Sequence, residues 1–325
     1  MAFRLRIIPT FVVSLSLASI WASSSQPTSA GVPTPGNILV STNNTVTEYT
    51  RDGMVVQSFS VPQPAGESIR DIAIDREGNI RVYNGTFDPT MGIIQVATGT
   101  VTNVSVPGWS TVNNLTYGGI ASFQDTIFVT DMRTSGDGGA DEARGILAID
   151  GTKVRRFAWE IDAIDLNIGL DGWLYALTPG GSPGGSTVAV YDPVTLLKVD
   201  DIDLSISTGH GAQRRAIAVN GYGELFVATL DGELFHLDPK GQLLAVETFS
   251  CDGRQCRFSD VDLAADGTLL LSSGDGYVLT TDESMLQARF LIRDGAFGER
   301  FASFVAPPLS APSVEQSTEV KLVDF

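Results

Sequence analysis

One pattern returns along the middle of this chain and narrows its fold more than any other feature: a short alternating strand, a glycine turn, then a second apolar strand. It runs as Asp71-Ile-Ala-Ile-Asp-Arg-Glu-Gly78-Asn-Ile-Arg-Val, and again from Asp165 through Gly172, from Ala216 through Gly223 and from Asp260 through Gly267. A divergent copy is Asn114-Leu-Thr-Tyr-Gly-Gly followed by Thr126-Ile-Phe-Val. Each copy leads into a further hairpin, such as Glu233-Leu-Phe-His-Leu-Asp-Pro-Lys-Gly-Gln-Leu-Leu. Period-two alternation with Asp-Gly and Asp-Pro-x-Gly turns is a strand and hairpin signature, not a helical one. Four strands per repeat, at a period of roughly 40–50 residues, is the arithmetic of a β-propeller blade.

The copies add up to six four-stranded antiparallel blades, an all-β six-bladed β-propeller spanning residues 31–306. The first blade lacks its inner strand, because Gly36-Asn-Ile-Leu-Val-Ser opens directly with the second strand of the pattern. Arg300-Phe-Ala-Ser-Phe-Val-Ala306 has the length and alternation to supply it. A C-terminal strand joining the N-terminal blade would close the ring and remove two sheet edges. A β-sandwich would leave the repeat unexplained, and a β-helix would need shorter rungs. Segments such as Ile69-Arg-Asp-Ile-Ala-Ile-Asp-Arg-Glu-Gly-Asn-Ile resemble the NHL repeat and the six-bladed propellers of the gluconolactonase and streptogramin-lyase type, the TolB-like superfamily. The resemblance implies the fold over nearly the whole of that region, and fold does not carry function with it.

Composition fits a folded, exported, acidic protein. Lys plus Arg number 21 against 38 Asp plus Glu, a net charge of −17, while apolar residues reach 43%. That apolar content excludes a disordered chain, and the charge argues against nucleic acid and anionic lipid as partners. Residues 1–30 read as a secretory signal: Arg4 and Arg6, then an apolar stretch from Ile7 on to Trp21, with Ala22 or Ala30 as the last residue before cleavage. Pro9 and a length short of the ~20 apolar residues of a spanning helix argue against an anchor. Residues 307–325, with Pro307, Pro308 and Pro312, read as a flexible tail. In an oxidising compartment Cys251 and Cys256 are expected to form a disulfide around a small loop, stiffening it locally. A monomer is the expected state.

Aligned on the turn glycine, the position seven residues earlier is Asp71, Asp165, Ala216 and Asp260, with Asn114 the expected equivalent in blade 3. The carboxylates thus fall on alternate blades facing one axis. They would either ring a Ca²⁺ or Mg²⁺ ion or each bond backbone N–H groups where its strand begins; repeated positions usually encode repeated structure. In gluconolactonase-like enzymes a Glu, an Asn and an Asp hold the metal; Asn114, Asp165 and Asp260 are the nearest matches, with Glu299 as the only candidate Glu. Trp109, Asn113 and Asn114 lead into blade 3 and could offer an indole and two amides to a sugar or other polar ligand, the alternative for Trp109 being a place between blades. His210, a candidate general base, and Arg215 lead into blade 5. His236 aligns with Glu48 and reads as structural. The acidic insertion from Asp131 to Arg144 lacks EF-hand spacing, and Asn43, Asn84, Asn103 and Asn114 head glycosylation sequons.

These readings describe a secreted propeller, extracellular or periplasmic, acting as a non-catalytic binding module. Its expected partner is a glycan, a small polar ligand or a protein, held on the loop-rich face where inner strands begin. The alternative is a lactonase- or esterase-like hydrolase or lyase with an axial divalent cation.

Overall fold

A computed structural model describes residues 31–63, 68–84, 90–109, 118–131, 145–178, 186–204, 214–293 and 300–305. They form a six-bladed β-propeller of four-stranded antiparallel sheets. Blade 4 shows the plan: inner strand Asp165–Ile168, then Leu174–Leu177, Ser186–Tyr191 and outer Lys198–Leu204. The other inner strands are Ile69–Ile74 in blade 2, Ile120–Phe123 in blade 3, Arg214–Val219 in blade 5 and Phe258–Leu263 in blade 6. Blade 1 takes its inner strand from the far end of the chain. Ala302–Phe304 pairs antiparallel with Ile38–Thr42, matching Val40 with Ala302 and Ile38 with Phe304, as the missing-strand argument anticipated.

Alternation explains the layering. Second strands are buried on both faces, as in Leu225–Thr229, because each is flanked by strands within its sheet and by blades on either side. Outer strands keep one wet face, as in Leu243–Thr248. The recurring turn glycine has a positive φ wherever the motif is intact, from 78° at Gly223 to 88° at Gly172, a conformation that disfavours a Cβ. Facing blades bury apolar side chains between them; Ile217, Val219, Leu225 and Val227 of blade 5 pack on Tyr175, Leu177, Val188 and Val190 of blade 4.

Polar ties pin the N-terminal segment. The Glu48 carboxylate, fully buried, accepts from the Thr34 amide (2.8 Å), the Asn37 side chain (2.5 Å) and the Gln57 side chain (2.6 Å). Between blades 5 and 6 an extra two-stranded hairpin, Ser250–Cys251 with Arg254–Gln255, is closed by the Cys251–Cys256 disulfide. The expected pairing is therefore present, and both half-cystines are buried in the seam between those blades.

Near the axis there is little room. A Cβ at Gly119, just before the inner strand of blade 3, would be driven into the backbone of blade 4, 2.8 Å from Asp165 Cα and closer still to the Leu166 amide nitrogen. Gly119→Ala is expected to destabilise the protein by about 1–3 kcal/mol, the usual cost of overpacking, read as a lower midpoint in chemical denaturation. An unchanged midpoint would contradict this close approach of the inner strands.

Candidate functional site

The three aspartates share one register and meet at the axis. Asp71, Asp165 and Asp260 stand opposite Tyr83, Leu177 and Ser272 of their second strands, and all three are buried. Each carboxylate accepts from the next amide of its own strand and from an amide of the following blade. Asp71 takes Ile72 N–H and Ile120 N–H, both at 2.7 Å. Asp165 takes Leu166 N–H and, at 2.8 Å, Ile217 N–H. Asp260 takes Val261 N–H (2.8 Å) and Ala302 N–H (2.9 Å). Blades 2 and 3, 4 and 5, and 6 and 1 are thereby tied in pairs. The residues before those cross-blade donors are Gly119, Ala216 and Phe301. Gly119, not Asn114, is thus the blade 3 equivalent. The inner and second strands of that blade are joined by Gln124-Asp125 rather than by an Asp-x-Gly turn, which removes the landmark used for alignment.

A second carboxylate reinforces the closure of the ring. Asp262 accepts from Leu263 N–H (2.8 Å), Phe304 N–H (2.8 Å) and the Ser303 hydroxyl (3.0 Å). Burial pushes the carboxyl pKa of Asp71 and Asp165 well above the ordinary value; the Asp260 charge acts on both, and the Asp165 charge also acts on Asp71. Burial raises Asp260 to about 7.

The aspartates floor an axial cavity of about 420 Å³. From that floor it runs along Ile72, Ile74, Leu166, Ile168 and Leu263 to a mouth at Gly36, Arg51, Leu170, Ala265 and Asp266. The mouth lies among the turns joining inner to second strands, on the face opposite the loop-rich one expected to hold the ligand. Arg51 braces its rim: Nη1 meets Asp266 at 2.6 Å, Nε donates to Gly36 O at 2.9 Å, and the guanidinium lies 5.1 Å from the Phe304 ring centroid.

Trp109 takes the place between blades. It is only 7% exposed, its indole N–H donates to Thr130 O (3.0 Å), and its ring meets Tyr83 edge-on at 4.7 Å. Arg215 is half-buried at a register shift in the inner strand of blade 5. His210, Asn113, Asn114 and Glu299, the insertion beyond Asp131 and the tail lie outside the described residues. His236 stacks on Phe226 at 4.4 Å, with Nε2 3.3 Å from Glu224. Asn84, heading one sequon, is fully buried between Gln63 and Asn103.

Sequence reasoning passed over Arg51, Asp262, and the arginines just before the axial register, Arg70 and Arg300. Arg300 is 1% exposed. The signal for Asp262 was present, two residues after Asp260 on a strand of period two.

The ring does not fit a metal centre. Among the described residues no group of three or more His, Cys, Asp or Glu side chains is placed to hold an ion, and the axial carboxylates point at backbone N–H donors. No helix among the described residues is long and apolar enough to cross a membrane.

No protein-family model matches the sequence, and no curated protein matches it. Among solved structures it is similar to a protein of unknown function from Bacteroides caccae, at 15% identity and a TM-score of 0.57, over 83% of this chain and 98% of that one. A likeness at that identity establishes the fold class alone: this is a six-bladed β-propeller.

The carboxylate ring has a consequence for stability. A carboxyl whose folded pKa is raised binds a proton in the folded state that the unfolded chain has released, so stability falls as pH climbs from about 4 through the folded value. For Asp260 that window runs from 3.8 to about 7. The melting temperature is expected to drop by several degrees between pH 5 and pH 8, and Asp260→Asn should flatten that slope. A stability that instead rises across this range in the wild type would contradict the buried, mutually repelling ring.

Proposed function

We propose that the protein is an exported, non-catalytic binding module of the NHL or gluconolactonase-like propeller kind, and that its ligand seats in the axial cavity. One observation carries this reading: an axial cavity of about 420 Å³ lined by aliphatic side chains and by the buried aspartates, with a mouth among the turns. Pockets of that size with a few convergent polar groups suit small ligands. The ring oxygens already accept from backbone N–H groups and the raised pKa values hold protons on the acids, so the lining can both donate and accept, which fits a small polar molecule such as a polyol or a sugar residue.

The aspartates support binding over catalysis because their oxygens are engaged in holding blades together. Freeing one as a base or metal ligand would leave a buried amide unpaired, at about 1–3 kcal/mol. Export rests on the apolar leader and on the disulfide, which persists in oxidising compartments.

The test is a thermal-shift screen of sugars, polyols and amines, followed by calorimetry. Ala265→Trp, at an exposed position on the rim, is expected to abolish binding of any hit while leaving the melting temperature within a degree or two of wild type. Absence of any hit, or hits indifferent to Ala265→Trp, would refute the axial site. Ca²⁺ or Mg²⁺ binding lost in Asp165→Ala, with a lactone or ester turned over until chelation, would favour the metal-dependent hydrolase instead.

A further inference from the structure

Two residues along the inner strand from each axial aspartate, the next side chain on the same strand face stands one tier closer to the cavity mouth. Those positions are Ala73 in blade 2, Asn167 in blade 4 and Asp262 in blade 6, and all three line the cavity. The aspartate tier is identical in the three blades and serves the fold, as repeated positions usually do. The upper tier differs in all three, so the repeat does not dictate it.

Backbone amides meet this tier as they meet the one below it. Along the inner strand of an antiparallel sheet, successive N–H groups point alternately to the paired strand and away from it. Ile72 and Ile120 donate to Asp71, so their N–H groups point away from the second strands. Those of Ile74 and Ser122, two residues further along the same strands, therefore do so too. In the seam between blades 6 and 1 the equivalent pair is Leu263 and Phe304, and both donate to Asp262 at 2.8 Å. Between blades 2 and 3 the residue at that place is Ala73, which packs towards blade 3 on Ile120, Ile127 and Val129 and brings no acceptor. In the seam between blades 4 and 5 it is Asn167, which carries an amide oxygen of its own. Ile74 and Ser122 thus turn two N–H groups to the cavity wall they form, and no described side chain sets a carboxylate between them.

We propose that the wall between blades 2 and 3 is a carboxylate subsite of the axial cavity, and that the ligand is a small monocarboxylate. Its carboxylate accepts from the Ile74 and Ser122 amides as Asp262 accepts from Leu263 and Phe304. This rests on the axial reading above and narrows it. Asp262 is the internal precedent, because the fold already holds a carboxylate on two amides in the tier next to Asp260. A charged acceptor gains more from such a pair than a neutral hydroxyl does, since hydrogen bonds to ionised groups are roughly twice as strong. The rest of the ligand runs up the shaft past Ile74 and Ile168, where an aliphatic or hydroxylated chain fits.

The test titrates propionate and glycerate, with propionamide and glycerol as their neutral counterparts, into isotope-labelled protein followed by amide NMR. A carboxylate is expected to move the Ile74 and Ser122 amide protons downfield and to saturate, binding about tenfold tighter than its neutral counterpart. Ala73→Asp sets the protein's own carboxylate between the two amides. It should abolish that binding without lowering the melting temperature, because it copies the tie between blades 6 and 1. The wild-type shifts need no variant, so they decide the case even where Ala73→Asp fails to fold. Unmoved Ile74 and Ser122 amides, equal affinity for acid and neutral counterpart, or carboxylate binding unchanged in Ala73→Asp would overturn the subsite. Neutral polyols that bind and are blocked by Ala265→Trp, with both carboxylates silent, would overturn the subsite and leave the axial reading standing. Silence from all four probes and from the wider screen would overturn both.

Discussion

A propeller blade satisfies its backbone within its own sheet, so neighbouring blades meet through side chains alone unless something bridges them. Here the bridge is an aspartate on every second inner strand, accepting one amide from its own blade and one from the next. The amides of Ile120, Ile217 and Ala302 face the axis at inner-strand edges, where no further strand can pair with them. A carboxylate is the compact group that can take two such donors at once, and hydrogen bonds to charged acceptors contribute about 1.5–3 kcal/mol each. The arrangement sorts the six blades into three pairs. The other seams use close backbone approach, as at Gly119 against Asp165, and scattered hydrogen bonds such as Ile69 N–H to Asn43 O (2.9 Å) between blades 2 and 1. The seam that closes the ring has a double tie, since Asp260 and Asp262 both hold the three-residue closing strand. So short a strand offers few ladder bonds of its own, and the second carboxylate compensates.

The same device sets the character of the axis. Three acids buried at the axis lose hydration, and neighbouring carboxylates add to the effect, Asp260 on Asp71 and Asp165 and Asp262 on Asp260, which is why their protons are held more tightly than usual. Six backbone donors offset part of that cost. What remains is a ring of tightly held carboxyl protons at one end of the shaft, a polarity built by the needs of ring closure.

Much of the architecture was legible because it is periodic. The strand alternation, the turn glycines and the displaced inner strand of blade 1 each follow from local pattern, and the aspartates stood out by their fixed distance from Gly78, Gly172 and Gly267. Blade 3 escaped because its turn, Gln124-Asp125, lacks the Asp-x-Gly landmark, so the alignment slid to Asn114. Trp109 and Trp173 illustrate a different limit. Both follow a glycine at a turn, yet one is buried between blades and the other stands on the surface; which way a turn residue points depends on the neighbouring blade, not on its own segment.

Closing the ring with the last strand has a topological result beyond stability. In an open array the chain would leave from an outer edge, far from any axial site. Because the final strand is an inner one, the chain must leave at the axis, beside whichever end of the shaft that strand points to. In this protein that end is the open one, with Val305 and Gly36 side by side in its wall and joined by the Gly36 N–H to Val305 O bond (2.9 Å).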